Sequence, residues 1–187
     1  MSRFKDFCST NPEPCTKNLN IPRINMPQIT NKKELLLFTK ICNSIGYKTN
    51  YVTLKNVDKH KIYTSQKEIN ESIARKIPIY QKMKKSDIPV IMIYSEEEDE
   101  YMIVDGHHRW LAHHLKGGNL KILKINIGKN DLKSGFFKII RKLKKNKKNK
   151  SIFFKKFSIK GNRVTKKTKR KNKRKTKKLI LSNKDYK

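Results

Sequence analysis

Tyr101-Met-Ile-Val-Asp-Gly-His-His-Arg-Trp-Leu-Ala-His-His-Leu-Lys-Gly-Gly118 is the stretch on which the reading of this chain turns. Tyr101–Val104 is apolar and β-prone and Asp105-Gly106 breaks it. Trp110, Leu111, Ala112, His114 and Leu115 then suit a helix that Gly117-Gly118 ends. A strand that passes through glycine straight into a helix aims the first free N–H groups, and the positive end of the helix dipole, at one point beyond the sheet. That point suits an anion. Gly106 lets a phosphate approach the backbone closely, His107 and His108 stand in the opening turn, and Arg109 is placed to add a bidentate contact. Asp105 is a candidate to cap the helix, to orient a histidine, or to bind a metal that accompanies a nucleotide.

Working outward, Pro89–Tyr94 is a short buried strand and Glu96–Glu100 an acidic turn, so with Tyr101–Val104 they read as a hairpin. Leu120–Ile127 is the next strand, and Leu132–Leu143, with Phe136, Phe137, Ile139 and Ile140, a closing amphipathic helix. Upstream, Asn31 caps a helix over Lys32–Ser44 that Gly46 stops, and Tyr51–Val57 alternates as a strand. Thr64 or Ser65 caps a helix running to Ile77, where Pro78 ends it. Residues 1–30 hold four of the six prolines and receive no element. The apolar clusters Ile152–Phe154 and Phe157–Ile159 interrupt a basic run and read as a docked strand or a partner-binding patch.

Val104-Asp-Gly-His-His-Arg-Trp-Leu-Ala112 resembles the second signature box of the ParB/sulfiredoxin superfamily, and Thr64-Ser-Gln-Lys-Glu-Ile-Asn70, followed by Ile73, resembles its first. Ile122–Ile127 matches the strand after the motif helix, so the resemblance covers residues 51–127. It implies an α+β fold: a small ParB/sulfiredoxin-like domain with a mixed sheet and flanking helices over residues 31–144. An irregular segment, 1–30, precedes it, and a basic, largely disordered tail, 145–187, follows. It further implies a nucleotide site at Gly106, His107, His108 and Arg109, with a nucleoside di- or triphosphate as ligand and Mg²⁺ as a candidate companion.

Sulfiredoxins carry a reacting cysteine where His107 stands, so their sulfinic-acid reductase chemistry is not expected. Partition ParB proteins carry Gly-Glu-Arg-Arg, of which this chain keeps only Gly106 and Arg109, which puts clamp behaviour in doubt. Free-serine kinases of the superfamily have an Asp-Gly-His turn closer to this one. The alternative function is therefore enzymatic, phosphoryl transfer or phosphodiester hydrolysis, with Asp105, His108 and Glu68 as candidate catalytic residues. A bland reading accompanies each. Glu68 in a first helical turn can simply favour the dipole, and Trp110 belongs to the apolar face of its helix. Adjacent histidines diverge around a helix, so the His107, His108, His113 and His114 cluster is not expected to hold a metal.

The formal net charge is +32, and residues 141–187 contribute 23 Lys and Arg against one acid, Asp185. Such a segment repels itself and lacks the apolar content to order a core, so it is expected to be disordered and to seek a polyanion. Its densest part runs Lys166, Lys167, Lys169, Arg170, Lys171, Lys173, Arg174, Lys175, Lys177, Lys178. Without interleaved aromatics it reads phosphate density, so the expected partner is nucleic acid, DNA first, with low sequence specificity and strong salt dependence. An AT-rich genome would explain part of the lysine excess, and a solubilising role or an empty scaffold carrying an active tail are the competing readings. Cys8, Cys15 and Cys42 are odd in number with no CxxC pair, so neither a disulfide framework nor a zinc ribbon is suggested and a reducing compartment fits. No apolar run reaches the ~18 residues of a membrane span. The expectation is a soluble, intracellular protein in a DNA-containing compartment such as the nucleus.

Overall fold

Reciprocal side-chain caps start the first long helix. In the computed structural model, which describes residues 7–67, 69 and 88–154, Asn31 accepts the Glu34 N–H at 2.9 Å while the Glu34 carboxylate accepts the Thr30 N–H at 2.7 Å. The helix, α2, runs Lys32–Ser44, after a four-residue turn of helix, α1, at Phe7–Thr10. Gly46, at φ 87°, then lets the chain reverse into β1, Lys48–Leu54. The strand begins and ends three residues earlier than its alternation alone implies. Its length is set by pairing, from Lys48 opposite Asn126 to Leu54 opposite Leu120, and left-handed Asn56 turns Val57 out of line.

Four further strands complete the sheet: β2 (Ile62–Tyr63), β3 (Val90–Ser95), β4 (Glu100–Asp105) and β5 (Leu120–Asn126). The order is β1-β5-β3-β4-β2. β3 runs parallel to β5 and β2 parallel to β4, while the other neighbours are antiparallel, so the sheet is mixed and the fold α+β. β3 and β4 form the expected hairpin, with a register irregularity at Ile91/Met92 and an acidic tip.

Each strand sends alternate side chains to opposite faces. On one face Ile91, Ile93, Val104, Leu123 and Ile125 pack under α2 and under α4, Leu132–Lys145, which Asp131 caps through the Ser134 N–H. On the other, Met92, Ile103 and Ile122 pack with Phe7 and with Trp110 and Leu111 of α3, His107–His114. A helix not read from the sequence, α5 at Lys147–Phe153, follows α4. The apolar cluster 152–154 thus docks as a helix end rather than a strand: Phe153 is fully buried against Phe38, and its carbonyl accepts the Gln28 N–H at 2.8 Å. Burying one such aromatic outweighs the repulsion among flanking lysines that water screens.

The described part of the proline-rich lead-in is tied to the rest of the domain by hydrogen bonds. Pro14 accepts the Thr64 N–H, Ile21 exchanges backbone bonds with the 65–67 segment, and Asn18 donates to Thr64 Oγ1 and to the Gln66 carbonyl. Lys17 salt-bridges Glu98 and Glu100 at the hairpin. Cys8 and Cys15 are joined in a disulfide, a single bridge that neither the odd count nor the absence of a CxxC pair suggested. The pairing arises because the turns at Glu13–Cys15 fold the arm back on α1, a contact that cysteine spacing does not encode. Cys42 stays a buried thiol, its pKa pushed up to about 12 by burial. The described residues belong to the compact unit Met1–Lys155; a second unit, Lys156–Lys187, lies outside them. No helix among the described residues is long and apolar enough to cross a membrane.

Candidate anion-binding site

β4 ends at Asp105, and Gly106 turns the chain at φ 96°, ψ 24°, directly into α3. Only glycine adopts this left-handed geometry without strain, and a second constraint acts there: a Cβ on Gly106 would lie 2.9 Å from Arg109 Nη2. The Arg109 guanidinium folds back over the turn, salt-bridging Asp105 Oδ2 at 3.5 Å and donating to the carbonyl of Ile88 at the approach to β3. The same Asp105 oxygen accepts the Ile29 N–H at 3.3 Å.

Asp105 is therefore held among internal partners, and the cap position belongs to Gly106, with no side-chain cap. Burial raises the Asp105 pKa, and Arg109 and the backbone N–H groups oppose that rise. A carboxylate so deeply placed is tolerated only because a guanidinium neutralises it.

His107 turns inward rather than toward the cleft opening. Only 2 % of it is exposed, and its Nε2 accepts the Ser65 N–H at 3.2 Å. The Ser65 hydroxyl lies 3.1 Å from the same nitrogen and donates to the Ile103 carbonyl. An imidazole accepting at Nε2 carries its proton on Nδ1, and burial holds the pKa down at about 3, so the ring is neutral. His108 is half-buried, with its pKa lowered to about 4 by burial and by the nearby charge of Arg23.

Asp105, Gly106, His107, His108 and Arg109 form one wall of a cleft of about 310 Å³. The opposite wall comes from the lead-in: Arg23, Gln28, Ile29 and Thr30. Arg23 donates to Gln66 Oε1 at 3.3 Å, which ties this wall to the first box. Gln28 is 8 % exposed, and its amide nitrogen is one of the few buried polar atoms among the described residues with no hydrogen-bond partner. Sequence reasoning missed both residues. Pro22 and Pro27 around them gave no periodic pattern to read, and only the contacts of Ile21 with Ser65 and Lys67 bring them to the cleft.

Glu68 and Lys166–Lys178 lie outside the described residues, as do residues 70–77 of the helix expected to run on to Ile77; its expected start at Thr64 or Ser65 does not form, because Thr64–Lys67 are held non-helical by backbone bonds to Pro14 and Ile21. Trp110 is core, in edge contact with Phe7. Among the described residues no group of three or more His, Cys, Asp or Glu side chains is placed to hold a metal ion.

The uncharacterized protein MJ0188 of Methanocaldococcus jannaschii is 32 % identical to this chain over 102 residues. Those residues are 54 % of this chain, which spans about 37 % of that protein's length. No family model matches the chain, and no solved structure matches it.

Proposed function

We propose that the chain is a phosphate-binding protein of the ParB/sulfiredoxin type, taking a nucleoside di- or triphosphate in the cleft at the start of α3, while its basic C-terminal segment holds it on nucleic acid. The observation that carries the first half is the charge of the cleft. Two guanidiniums, Arg23 and Arg109, stand against one carboxylate, Asp105, and both histidines are neutral at pH 7. The positive end of α3 adds to the same side. The unpartnered Gln28 amide offers a further donor to an acceptor-rich ligand such as a phosphate. Asp105 is already engaged by Arg109, so any Mg²⁺ would come with the phosphates rather than from a preformed ligand set. The second half rests on the tail's charge, which suits a phosphate backbone whose counterions it would release.

The test is a thermal-shift titration of the full chain with ATP, ADP, CTP and GTP, each with and without Mg²⁺. A ligand that binds only the folded state raises its melting temperature. A rise of several degrees with at least one nucleotide is expected, and none across the panel removes the reading. For the tail, removal of residues 156–187 should strongly weaken binding to duplex DNA and flatten its salt dependence. Undiminished binding would remove that half.

A second reading, phosphoryl transfer or phosphodiester hydrolysis in the same cleft, is supported by His108, a neutral imidazole at the cleft wall able to accept a proton. Turnover of a nucleotide or DNA that His108→Ala abolishes is its signature.

A further inference from the structure

We infer that the phosphoryl group bound in this cleft is held chiefly by Arg23 and Gln28 of the N-terminal arm, so that the site is composite and the arm belongs to the binding domain. The inference rests on the phosphate-binding reading above and assigns the residues that make the contact.

The division of labour follows from what each side chain already does. Arg109 is spent inward, on Asp105 Oδ2 at 3.5 Å and on the Ile88 carbonyl, and it lies across the Gly106 turn. His107 Nε2 is taken by the Ser65 N–H. His108 and the first turn of α3 line the same side of the cleft. Across the cleft, Arg23 is half-buried, lines the opening, and influences the ionisation of Asp105, His107, His108 and Arg109 alike, which places its charge centrally.

Gln28 is the independent sign of a ligand. A side-chain amide nitrogen more than nine-tenths buried without an acceptor carries an uncompensated desolvation cost. Phosphoryl oxygens supply acceptors for it. The arm is also stiff enough to present both groups. Pro22 and Pro27 flank the stretch, Ile29 N–H is fixed on Asp105, Gln28 N–H on the Phe153 carbonyl, and Arg23 on Gln66. Pre-organised donors lose little entropy on binding.

The ligand class is therefore an organic phosphate whose phosphoryl oxygens lie between the arm and the first turn of α3. A carboxylate offers two oxygens where a phosphoryl group offers three, so it engages fewer of the donors that Arg23, Gln28 and the helix N–H groups supply.

The experiment measures binding by the full chain of inorganic phosphate, pyrophosphate, ATP and, as carboxylate control, acetate. It compares the natural chain with Arg23→Ala, Arg23→Lys and Gln28→Glu. We expect Arg23→Ala to weaken the tightest phosphate ligand at least tenfold, and the melting temperature of the unliganded protein separates that loss from the loss of the Gln66 contact. Arg23→Lys should recover part of the affinity. Gln28→Glu, which replaces a donor by a like charge, should bring binding below detection. If that variant fails to fold, the Arg23 pair alone decides. Should the natural chain bind phosphate compounds and both Arg23 variants bind them equally well, the inference falls while the phosphate-binding reading stands. Binding of none by the natural chain overturns both, and acetate binding as tight as phosphate overturns the assigned ligand class.

Discussion

The backbone N–H of Ser65 donates to Nε2 of His107 at 3.2 Å, joining the first sequence box to the turn that opens α3. The histidine that the sequence offers as a phosphate ligand is thereby a structural bracket. Ser65 is fully buried, and its carbonyl accepts the Ile21 N–H, so the arm, the first box and the second are held through one segment.

Replacing His107 by Ala leaves the Ser65 N–H buried without an acceptor and opens a cavity beside it. We expect a loss of about 2–4 kcal/mol of stability. His107→Gln, whose side-chain oxygen can stand near the Nε2 position, should recover at least half. Urea unfolding of the three proteins checks this; equal stability of the Ala variant would show that the bracket carries no load.

The pH dependence has a definite sign. The folded-state pKa of His107, about 3, lies below its ordinary 6.5, so the unfolded chain binds the proton more readily. The contribution is complete above pH 6.5 and is lost as pH falls toward 3. Between pH 6.5 and 5 the loss is about 2 kcal/mol. His108, lowered to about 4, acts in the same sense, whereas the raised Asp105 carboxyl acts oppositely. Comparing the natural chain with His107→Gln from pH 7 to 5 isolates the term, because the slope should be shallower in the variant.

Arg109→Ala leaves Asp105 a buried carboxylate with its main counter-charge gone, at a cost of about 3–5 kcal/mol. Asp105→Asn in the same chain should restore part of that loss. A double-mutant cycle reads the coupling directly, and additive losses would mean that the two side chains act independently.

The disulfide joins residues seven apart and fastens α1, whose Phe7 packs edge-on against Trp110. Closing so short a loop is worth about 2 kcal/mol. A reductant should therefore lower the melting temperature of the natural chain and leave that of a Cys8→Ser, Cys15→Ser double variant unchanged. A melting curve of the natural chain that ignores reductant would argue that the bridge adds nothing.

Elements with local start and stop signals were the legible ones. The reading of α2 as Lys32–Ser44 matches because Asn31, Glu34 and Gly46 are chemical signals within the segment itself. The hairpin of β3 and β4, and the passage of β4 through Gly106 into α3, were legible for the same reason. β1 slid by three residues because an edge strand takes its length from the partner it pairs with. α5 and the two-residue β2 were invisible, the first inside a lysine run and the second too short to show a period. The site divides along the same line. Asp105, Gly106, His108 and Arg109 come to the cleft from one contiguous turn, whereas Arg23 and Gln28 come from far along the chain through backbone bonds to residues 65–67 and 153.

What the amino-acid sequence determined by itself is thus the turn at Asp105–Arg109, the alternation that makes a two-faced sheet, and the charge of the C-terminal segment. All depend on neighbours in sequence, through left-handed glycine geometry, strand periodicity and the self-repulsion of lysine. Only the tertiary structure decided that His107 faces a buried Ser65, that Arg109 is drawn inward by Asp105 and the Ile88 carbonyl, and that the proline-rich arm is the far wall of the cleft. Each of these depends on which hydrogen-bonding groups are brought together once both faces of the sheet are covered, and burial makes the pairing of such groups obligatory.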